Sequence, residues 1–160
     1  MRMSEGVEWA LHSCLLLAWL GADEPVPTAK LAAAHDLPAA YLNKQLQALS
    51  KAGIVTSTPG VRGGFRLARD PARITLLDVV TAIEGGEDAF RCQEIRQRGA
   101  GAQAPKREFR SSCVIAAAMR RAETAWRRAL AAQTLADVQA TADRSAPWAG
   151  ARMRQWYAAS

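Results

Sequence analysis

The sequence predicts a mainly α-helical protein with one short β-hairpin. Apolar residues recur at helical spacing in six segments, whereas paired β-type runs flank a Gly- and Pro-rich turn between residues 54 and 68. Apolar residues make up 49% of the 160 positions, which excludes general disorder and suffices for one domain with a real core.

The first predicted helix covers residues 4–20 and has Ser4 as its N-cap. Six apolar side chains fall on one face of this helix. They are Val7, Ala10, Leu11, Cys14, Leu17 and Ala18. Because Cys14 lies nearly opposite the edge that carries Glu8 and His12, we predict that its thiol belongs to the core.

A helix-turn-helix is predicted next. A turn at 25–27 precedes Thr28, the expected N-cap of a helix over 29–35, and Pro38 is expected at the first position of a helix over 39–52. In this second helix, leucines at helical spacing are predicted to be buried and small or polar residues to be exposed. The leucines are Leu42, Leu46 and Leu49, and the exposed residues are Ala40, Tyr41, Asn43, Lys44, Gln47 and Lys51.

Two short strands complete the first predicted domain. They cover 54–57 and 65–68 and are joined by a turn-rich loop, so residues 1–84 are predicted to form a winged helix-turn-helix domain. Thr75 and Asp78 predict a capping box for a final helix over 76–84.

The second half of the chain is predicted to contain a loop, two helices and a tail. The loop covers 85–111, the two helices share 112–143, and 144–160 is a C-terminal tail. The longer helix has an apolar stripe that requires a partner helix. The stripe consists of Ile115, Met119, Ala122, Trp126 and Leu130. Thr134 is the predicted cap of the shorter helix.

Composition limits the class of protein. The net charge of +6 fits a polyanionic partner such as DNA but does not locate the contact face. Three cysteines are an odd number, so we expect reduced thiols in a cytoplasmic protein. The apolar run at 15–20 is short and follows acidic residues, so we expect neither export nor a membrane span.

Two pairs of side chains have the chemistry of metal ligands. Cys92 and Cys113 lie in the Gly/Arg-rich middle segment and supply half of the thiolates that an iron–sulfur cluster usually needs, while Glu8 and His12 share one edge of the first helix. The alternatives are an exposed Glu–His pair and, for the cysteines, inert packing or a disulfide switch favoured by neighbouring arginines. These arginines are Arg91, Arg96, Arg98 and Arg110. His35 is expected at a solvated helix end.

Several motifs in the chain occur in a recognisable order. They are Tyr41-Leu42, KAGIV at 51–55, GVRGGFRLAR at 60–69, ITLLDVV at 74–80 and Glu84-Gly85. In this order they resemble the bacterial winged-helix iron–sulfur regulators that include IscR, NsrR and RsrR. The resemblance implies a homodimeric transcription regulator, each subunit of which gives a winged helix to DNA, a long dimerisation helix, and a loop that often carries a cluster.

The cysteine pattern departs from that of IscR. Members similar to IscR have three closely spaced loop cysteines, whereas this loop region has Cys92 and, twenty-one positions later, Cys113. The segments GVEWALH at 6–12, FRCQEIRQRG at 90–99 and CVIA at 113–116 look most like the redox-sensing RsrR branch. That resemblance implies a [2Fe-2S] cluster held by Cys92 and Cys113 together with Glu8 and His12 of the partner subunit.

Candidate DNA contacts lie on the second helix of the helix-turn-helix and on the wing. Amide and lysine side chains suit base edges, a glycine-flanked arginine suits a minor groove, and further basic residues suit phosphates. The candidates are Tyr41, Asn43, Lys44, Gln47, Lys51, Arg62, Gly63, Arg66 and Arg69. Their alternative role is a solvated surface, and a dimer would read double-stranded DNA at a palindromic operator.

The predicted function is a repressor whose operator affinity follows the redox state of the cluster. Trp9 and Trp19 are expected to shield the cluster or to pack in the core, and we hypothesise that Trp9 couples cluster state to helix position. The alternatives are a Cys92/Cys113 thiol switch without a cluster, a nitric oxide or iron-supply sensor, a cysteine enzyme, and a winged helix used for protein contacts. The sequence has no oxyanion loop or nucleophile elbow that supports an enzyme.

Overall fold

A computed structural model describes residues 3–21 and 24–160. Its helices are α1 (Glu5–Leu20), α2 (Thr28–Ala33), α3 (Ala39–Lys51), α4 (Leu76–Glu84), α5 (Val114–Ala131), α6 (Leu135–Ser145) and α7 (Trp148–Ala159), and its strands are β1 (Val55–Thr58) and β2 (Gly64–Leu67). The strands form one antiparallel hairpin. The predicted class, mainly α-helical with a β-hairpin wing, is therefore confirmed.

The chain divides into two compact units. The larger unit contains the residues up to Gly86 together with Leu130–Ser160, and the smaller unit contains Glu87–Ala129. The boundaries predicted from the sequence divide the chain differently, because they group 135–143 with the long helix and treat 144–160 as a tail. None of the described helices has the length and apolar character needed to cross a membrane.

The core of the larger unit forms around α1, which packs against α3, α4, α6 and α7. The predicted buried leucines of α3 are confirmed, because Leu42, Leu46 and Leu49 are all fully buried. Leu16 of α1 and Leu31 of α2 join the same cluster. Burial of these side chains removes apolar surface from water, which is the main force that holds the helix-turn-helix together.

The wing is attached to the segment that precedes α2. In the hairpin Val55 pairs with Leu67, and Val26 then exchanges two backbone hydrogen bonds with Phe65, with N–O distances of 2.8 and 2.9 Å. A Cβ added to Gly64 would lie 2.2 Å from the Val26 carbonyl oxygen, so only glycine fits this crossing. The predicted turn at 25–27 therefore also forms an isolated antiparallel β-bridge to the wing.

The observed helix starts agree with the predicted ones where the capping residues lie within three positions of each other in the chain. Both predicted capping boxes are present: Thr75 with Asp78 at α4, and Thr134 with Asp137 at α6. Ser4 occupies the N-cap position of α1, but its hydroxyl donates to Glu84 Oε1 at 2.6 Å instead. This bond and the Ser4 backbone N–H lower the pKa of Glu84.

The predicted first-turn positions of α2 and α3 were wrong by one residue. Pro27, and not Thr28, occupies the N-cap of α2, and Pro38 is the N-cap of α3 instead of its first helical residue. A fixed φ near −65° suits both positions, so proline is accommodated there without loss of a helical hydrogen bond.

The two last helices pack on α1. α6 is joined to the start of α4 by backbone bonds from Leu76 to Gln133 (2.9 Å) and from Leu135 to Ile74 (2.8 Å). α7 approaches α1 at Gly150, where an added Cβ would lie 2.9 Å from Trp19 Cδ1. The residues predicted as a tail therefore include a helix that covers the core.

Cys14 lies in the core, as predicted, and burial raises the pKa of its thiol to about 12. We expect iodoacetamide at pH 8 to modify Cys92 in the native protein and to leave Cys14 unmodified, as measured by peptide mass spectrometry. Unfolding in guanidinium chloride should make Cys14 reactive. Equal labelling of both thiols in the native protein would contradict the burial.

The same shift predicts a dependence of stability on pH. Above the ordinary thiol pKa of 9.0 the unfolded chain ionises Cys14, whereas the folded chain keeps it protonated up to about pH 12. The contribution of this thiol to the free energy of unfolding is therefore complete below pH 9 and decreases as the pH rises from 9 towards 12. A Cys14→Ala variant should show a smaller decrease.

Candidate metal centre and nucleic-acid interface

The α3 surface carries the predicted DNA-contact residues. Its buried leucines face α1, so the opposite side of the helix faces solvent. The exposed side chains there are Ala40, Tyr41, Asn43, Lys44, Gln47 and Lys51, as predicted. Two amides, two lysines and a phenol on one exposed helix face suit the acceptors and donors of a major groove.

The wing presents a second basic surface. Arg62 is exposed at the tip, and Gly63 makes the turn possible, because a Cβ at Gly63 would lie 2.2 Å from the Thr58 carbonyl oxygen. Arg66 is exposed on β2. Arg69 is half-buried, and its guanidinium donates to the carbonyl oxygens of Gly53 (3.0 Å) and Arg73 (3.3 Å), while its phosphate contact stays a prediction.

Glu8 and His12 are both exposed on α1, one turn apart. The imidazole of His12 contacts that of His35, with 5.2 Å between the ring centroids and 58° between the planes. The prediction that His35 sits at a solvated helix end was therefore wrong. His35 is half-buried, and burial lowers its pKa, with a further contribution from His12. Its buried Nε2 finds no hydrogen-bond partner among the described residues.

Trp9 lies beside Glu8 in the chain and contacts α3. Its ring meets that of Tyr41 edge-on, with 6.1 Å between the centroids. Both rings line a groove of about 590 Å³ between the starts of α1 and α3 and the end of α4. Trp19 is held elsewhere, because its Nε1 donates to Asp143 Oδ1 at 2.9 Å.

Cys92 and Cys113 lie at the two ends of an ordered loop in the smaller unit. The loop contains three 3-10 turns, at Ile95–Gln97, Gly99–Gly101 and Lys106–Phe109. Cys92 is exposed and Cys113 is half-buried immediately before α5. Backbone N–H groups of Ala116 and Ile115 lower the pKa of the Cys113 thiol, as expected at a helix N-terminus.

Two of the arginines noted in the sequence form contacts that organise the loop. Of the four arginines noted in the sequence, Arg91 forms an ion pair with Glu87. Arg96 forms one with Glu94 and also donates to the carbonyl oxygen of Ser111. The contact of Arg96 with Ser111 joins residues fifteen positions apart, and helical or strand periodicity carries no signal for it.

The donor set fits a [2Fe-2S] cluster chemically. Two thiols, one carboxylate and one imidazole provide the two protein ligands that each iron requires, and replacement of thiolates by imidazoles is known in Rieske centres. Within the described part of one chain, no three His, Cys, Asp or Glu side chains are grouped so that they would hold a metal ion. The two predicted pairs belong to the two different units.

An apolar face of α5 is exposed. Ile115 is 63% and Met119 41% exposed, and the stripe continues through Ala122 to the half-buried Trp126. A contiguous apolar surface of this kind is typical of an interaction site. On the opposite side of α5, basic and small residues line a groove. These residues are Ala117, Arg120, Arg121, Thr124, Ala125 and Arg128.

Comparisons with known proteins agree with this geometry. The model of the Rrf2 family, described as an iron-dependent transcriptional regulator, matches residues 3–141. The YwgB protein of Bacillus subtilis, an inferred HTH-type transcriptional regulator, is 30% identical over 138 residues, which are 86% of this chain and 84% of that relative. The HTH-type transcriptional regulator IscR of Xenorhabdus nematophila is 33% identical over 93 residues, which are 58% of this chain and 57% of IscR.

A solved structure has the same fold. CymR (YrzC), the global cysteine regulator of B. subtilis, superimposes with a TM-score of 0.68 at 22% identity, covering 88% of this chain and 98% of CymR. The family match covers the helix-turn-helix, the wing, the cysteine loop and α5, and the matched relatives are regulators and not enzymes. The chain is thus a member of the Rrf2 family of DNA-binding transcription regulators.

Proposed function

We propose that this protein is a cytoplasmic, homodimeric repressor whose affinity for a palindromic operator depends on a [2Fe-2S] cluster shared between its subunits. Cys92 and Cys113 of one subunit and Glu8 and His12 of the partner subunit would hold the cluster. The observation that carries the proposal is the division of four suitable ligands into two exposed or half-buried pairs, one in each unit of the chain.

The dimer is supported by the apolar face of α5. Ile115 and Met119 would be desolvated by a second copy, which removes the cost of exposing them. Because a twofold axis uses the same surface on both subunits, one apolar stripe is enough for a closed dimer. The two α3 helices would then read two half-sites separated by about one helical turn or a multiple of it.

DNA recognition is assigned to α3 and the wing. We assign base contacts to Asn43, Lys44 and Gln47, because amides pair with adenine and lysine with guanine. Tyr41 and Lys51 flank them on the same exposed surface. On the wing, Arg62 would enter the minor groove beside Gly63, and Arg66 would contact phosphate.

Signal transfer is assigned to Trp9. When bound, the cluster would supply a one-electron redox change at the contact between α1 and the partner subunit. Glu8 and His12 would tie α1 to the partner, so a change at these ligands would move the neighbouring Trp9. Because the Trp9 ring contacts Tyr41 of α3, a movement of Trp9 would change the position of that helix.

We expect Trp9→Ala to abolish most of the difference in operator affinity between oxidised and reduced protein, while binding itself persists. Trp9→Phe is the matched control, because it keeps an aromatic edge against Tyr41. Fluorescence anisotropy with labelled operator under anaerobic conditions measures both states. An unchanged ratio in Trp9→Ala would remove Trp9 from the mechanism.

An anaerobic preparation tests the proposed function as a whole. The protein should show the visible absorption of an iron–sulfur centre, contain up to four iron atoms per dimer if both [2Fe-2S] sites are filled, and give a rhombic EPR signal after reduction by dithionite. Operator affinity should differ between the two states. A response to nitric oxide or to iron limitation, but not to dithionite, would assign the same site to a different signal.

A thiol switch without a cluster is the second candidate. It is favoured by the exposure of Cys92 and by the lowered pKa of Cys113. A colourless, iron-free dimer from the anaerobic preparation, with operator affinity that changes on disulfide formation, would support it over the cluster.

A further inference from the structure

Arg96 is the most connected side chain of the cysteine loop. Its Nε and Nη2 donate to Glu94 Oε1 and Oε2 at 2.5 and 2.8 Å, and Nη2 also donates to the carbonyl oxygen of Ser111 at 3.0 Å. The guanidinium lies 5.7 Å from the centroid of the Phe109 ring. The bidentate ion pair with Glu94, the hydrogen bond to the Ser111 backbone and the contact with the Phe109 ring fix the orientation of the guanidinium. We call its two bonds to Glu94 the Arg96 fork.

These contacts close the loop next to both thiols. Glu94 is two residues after Cys92, and Ser111 is two residues before Cys113. One guanidinium therefore links two points of the loop that each lie two residues from a cysteine.

The local backbone is shaped around this link. Glu94 has a φ of 49°, a left-handed conformation that a non-glycine residue adopts when its surroundings stabilise it. A Cβ added to Gly101 would lie 1.8 Å from the carbonyl oxygen of Arg96, so the following turn packs directly on the arginine backbone. Both features indicate that the loop backbone is shaped to hold Arg96 in this position.

The charge of Arg96 reaches both cysteines. Its guanidinium interacts electrostatically with Cys113 and Cys92, and its hydrogen-bond partners Glu94 and Ser111 each lie two positions from one of these cysteines. Because Arg96 also neutralises the Glu94 carboxylate, its removal would leave an unpaired negative charge near the two cysteines, so the guanidinium favours the more negative state of the two sulfurs.

We propose that Arg96 is the positioning residue of the cysteine pair: its fork holds Cys92 and Cys113 as a ready ligand pair, and its charge favours the reduced cluster. The inference rests on the proposed function, because it names a residue that controls that site. It is independent of which subunit supplies Glu8 and His12.

Two substitutions separate the fork from the charge. Arg96→Gln removes both, whereas Arg96→Lys keeps the charge but cannot form the bidentate pair. The matched control is Arg98→Gln, an equal charge change in the same loop at an exposed arginine with no ion pair among the described residues. Circular dichroism and size-exclusion chromatography of each apo-protein establish that the dimer is folded.

Iron retention and reduction potential are the measurements. Arg96→Gln should lose iron about tenfold faster on anaerobic gel filtration, in line with other residues that support metal ligands. Its remaining cluster should be about tenfold harder to reduce, which is 59 mV more negative for a one-electron couple. Arg96→Lys should lose iron faster but keep a potential close to that of the wild type, and Arg98→Gln should match the wild type in both.

Each result decides a stated part of the proposal. Retention and potential equal to wild type in Arg96→Gln would overturn the inference while leaving the cluster itself established. If Arg96→Gln does not fold, Arg96→Lys decides, and wild-type iron retention in that variant would overturn the role of the fork. A wild-type protein that binds no cluster would overturn the proposed function, and the inference with it, before any variant is compared.

Discussion

Co-expression of two complementary defective chains should restore one cluster site in the mixed dimer. One chain would carry Glu8→Ala and His12→Ala and keep both cysteines, and the other would carry Cys92→Ser and Cys113→Ser and keep Glu8 and His12. If ligands come from both subunits, the mixed dimer has one complete set of four ligands and one set with none. Its iron content should be about half that of the wild type.

Each defective chain expressed alone should form iron-poor homodimers, because every site then lacks two ligands. Distinct affinity tags on the two chains allow the mixed dimer to be isolated, and iron per dimer and the EPR amplitude after reduction are the measurements. The reference is a mixed dimer in which one tagged chain carries all four substitutions and the other is wild type.

The two mixed dimers give opposite results under the two possible arrangements. Ligation across the dimer gives iron in the complementary pair and none in the reference. In the reference, each site would contain only the two ligands that the wild-type chain supplies to it. Ligation within one chain gives the reverse. An iron-free complementary pair would therefore contradict the shared site, which is the most specific part of the proposed function.

Introduction of a charge into the apolar face of α5 should convert the dimer into monomers. Ile115 is 63% exposed on this face, and Ile115→Glu would place a carboxylate in the proposed interface without a partner. Sedimentation velocity should show a single species near the 17.3 kDa of one chain. Operator affinity should fall by a factor on the order of a hundred, because two linked half-site contacts become one.

Thr124→Glu is the control for this prediction. Thr124 lies nine residues further along α5, which is about 180° from Ile115 around the helix, and it lines the groove that contains Arg120 and Arg128. The added charge is the same but faces basic residues, so the dimer and its operator affinity should persist. A dimeric Ile115→Glu protein would show that the exposed stripe is not the subunit interface.

The helix-turn-helix was predictable because its signals are local. The spacing of Leu42, Leu46 and Leu49 reports the buried side of α3, and the pairs Thr75/Asp78 and Thr134/Asp137 report helix starts through contacts three residues apart. The strand bounds and the helix caps were misplaced by one residue for the same reason, because a neighbouring position satisfies nearly the same local pattern.

α7 was missed for a physical reason. Pro147 and Gly150 are ordinary helix breakers, and they were interpreted as the start of a tail. In the fold Pro147 precedes the helix, where its missing N–H is harmless, and Gly150 is required because Trp19 packs against its backbone. The glycine reports a close approach to a residue far away in the sequence, and no local pattern contains that information.

The candidate site shows the same division between local and distant information. The identities of the two ligand pairs, their spacing and the order of the family motifs are properties of the linear chain, and they led to the regulator family. The contact of His12 with His35, the edge of Trp9 on Tyr41, and the closure of the cysteine loop by Arg96 appear only in the folded chain. Local hydrogen bonding and periodicity act over three or four residues, whereas these contacts join residues that come together only when the chain folds.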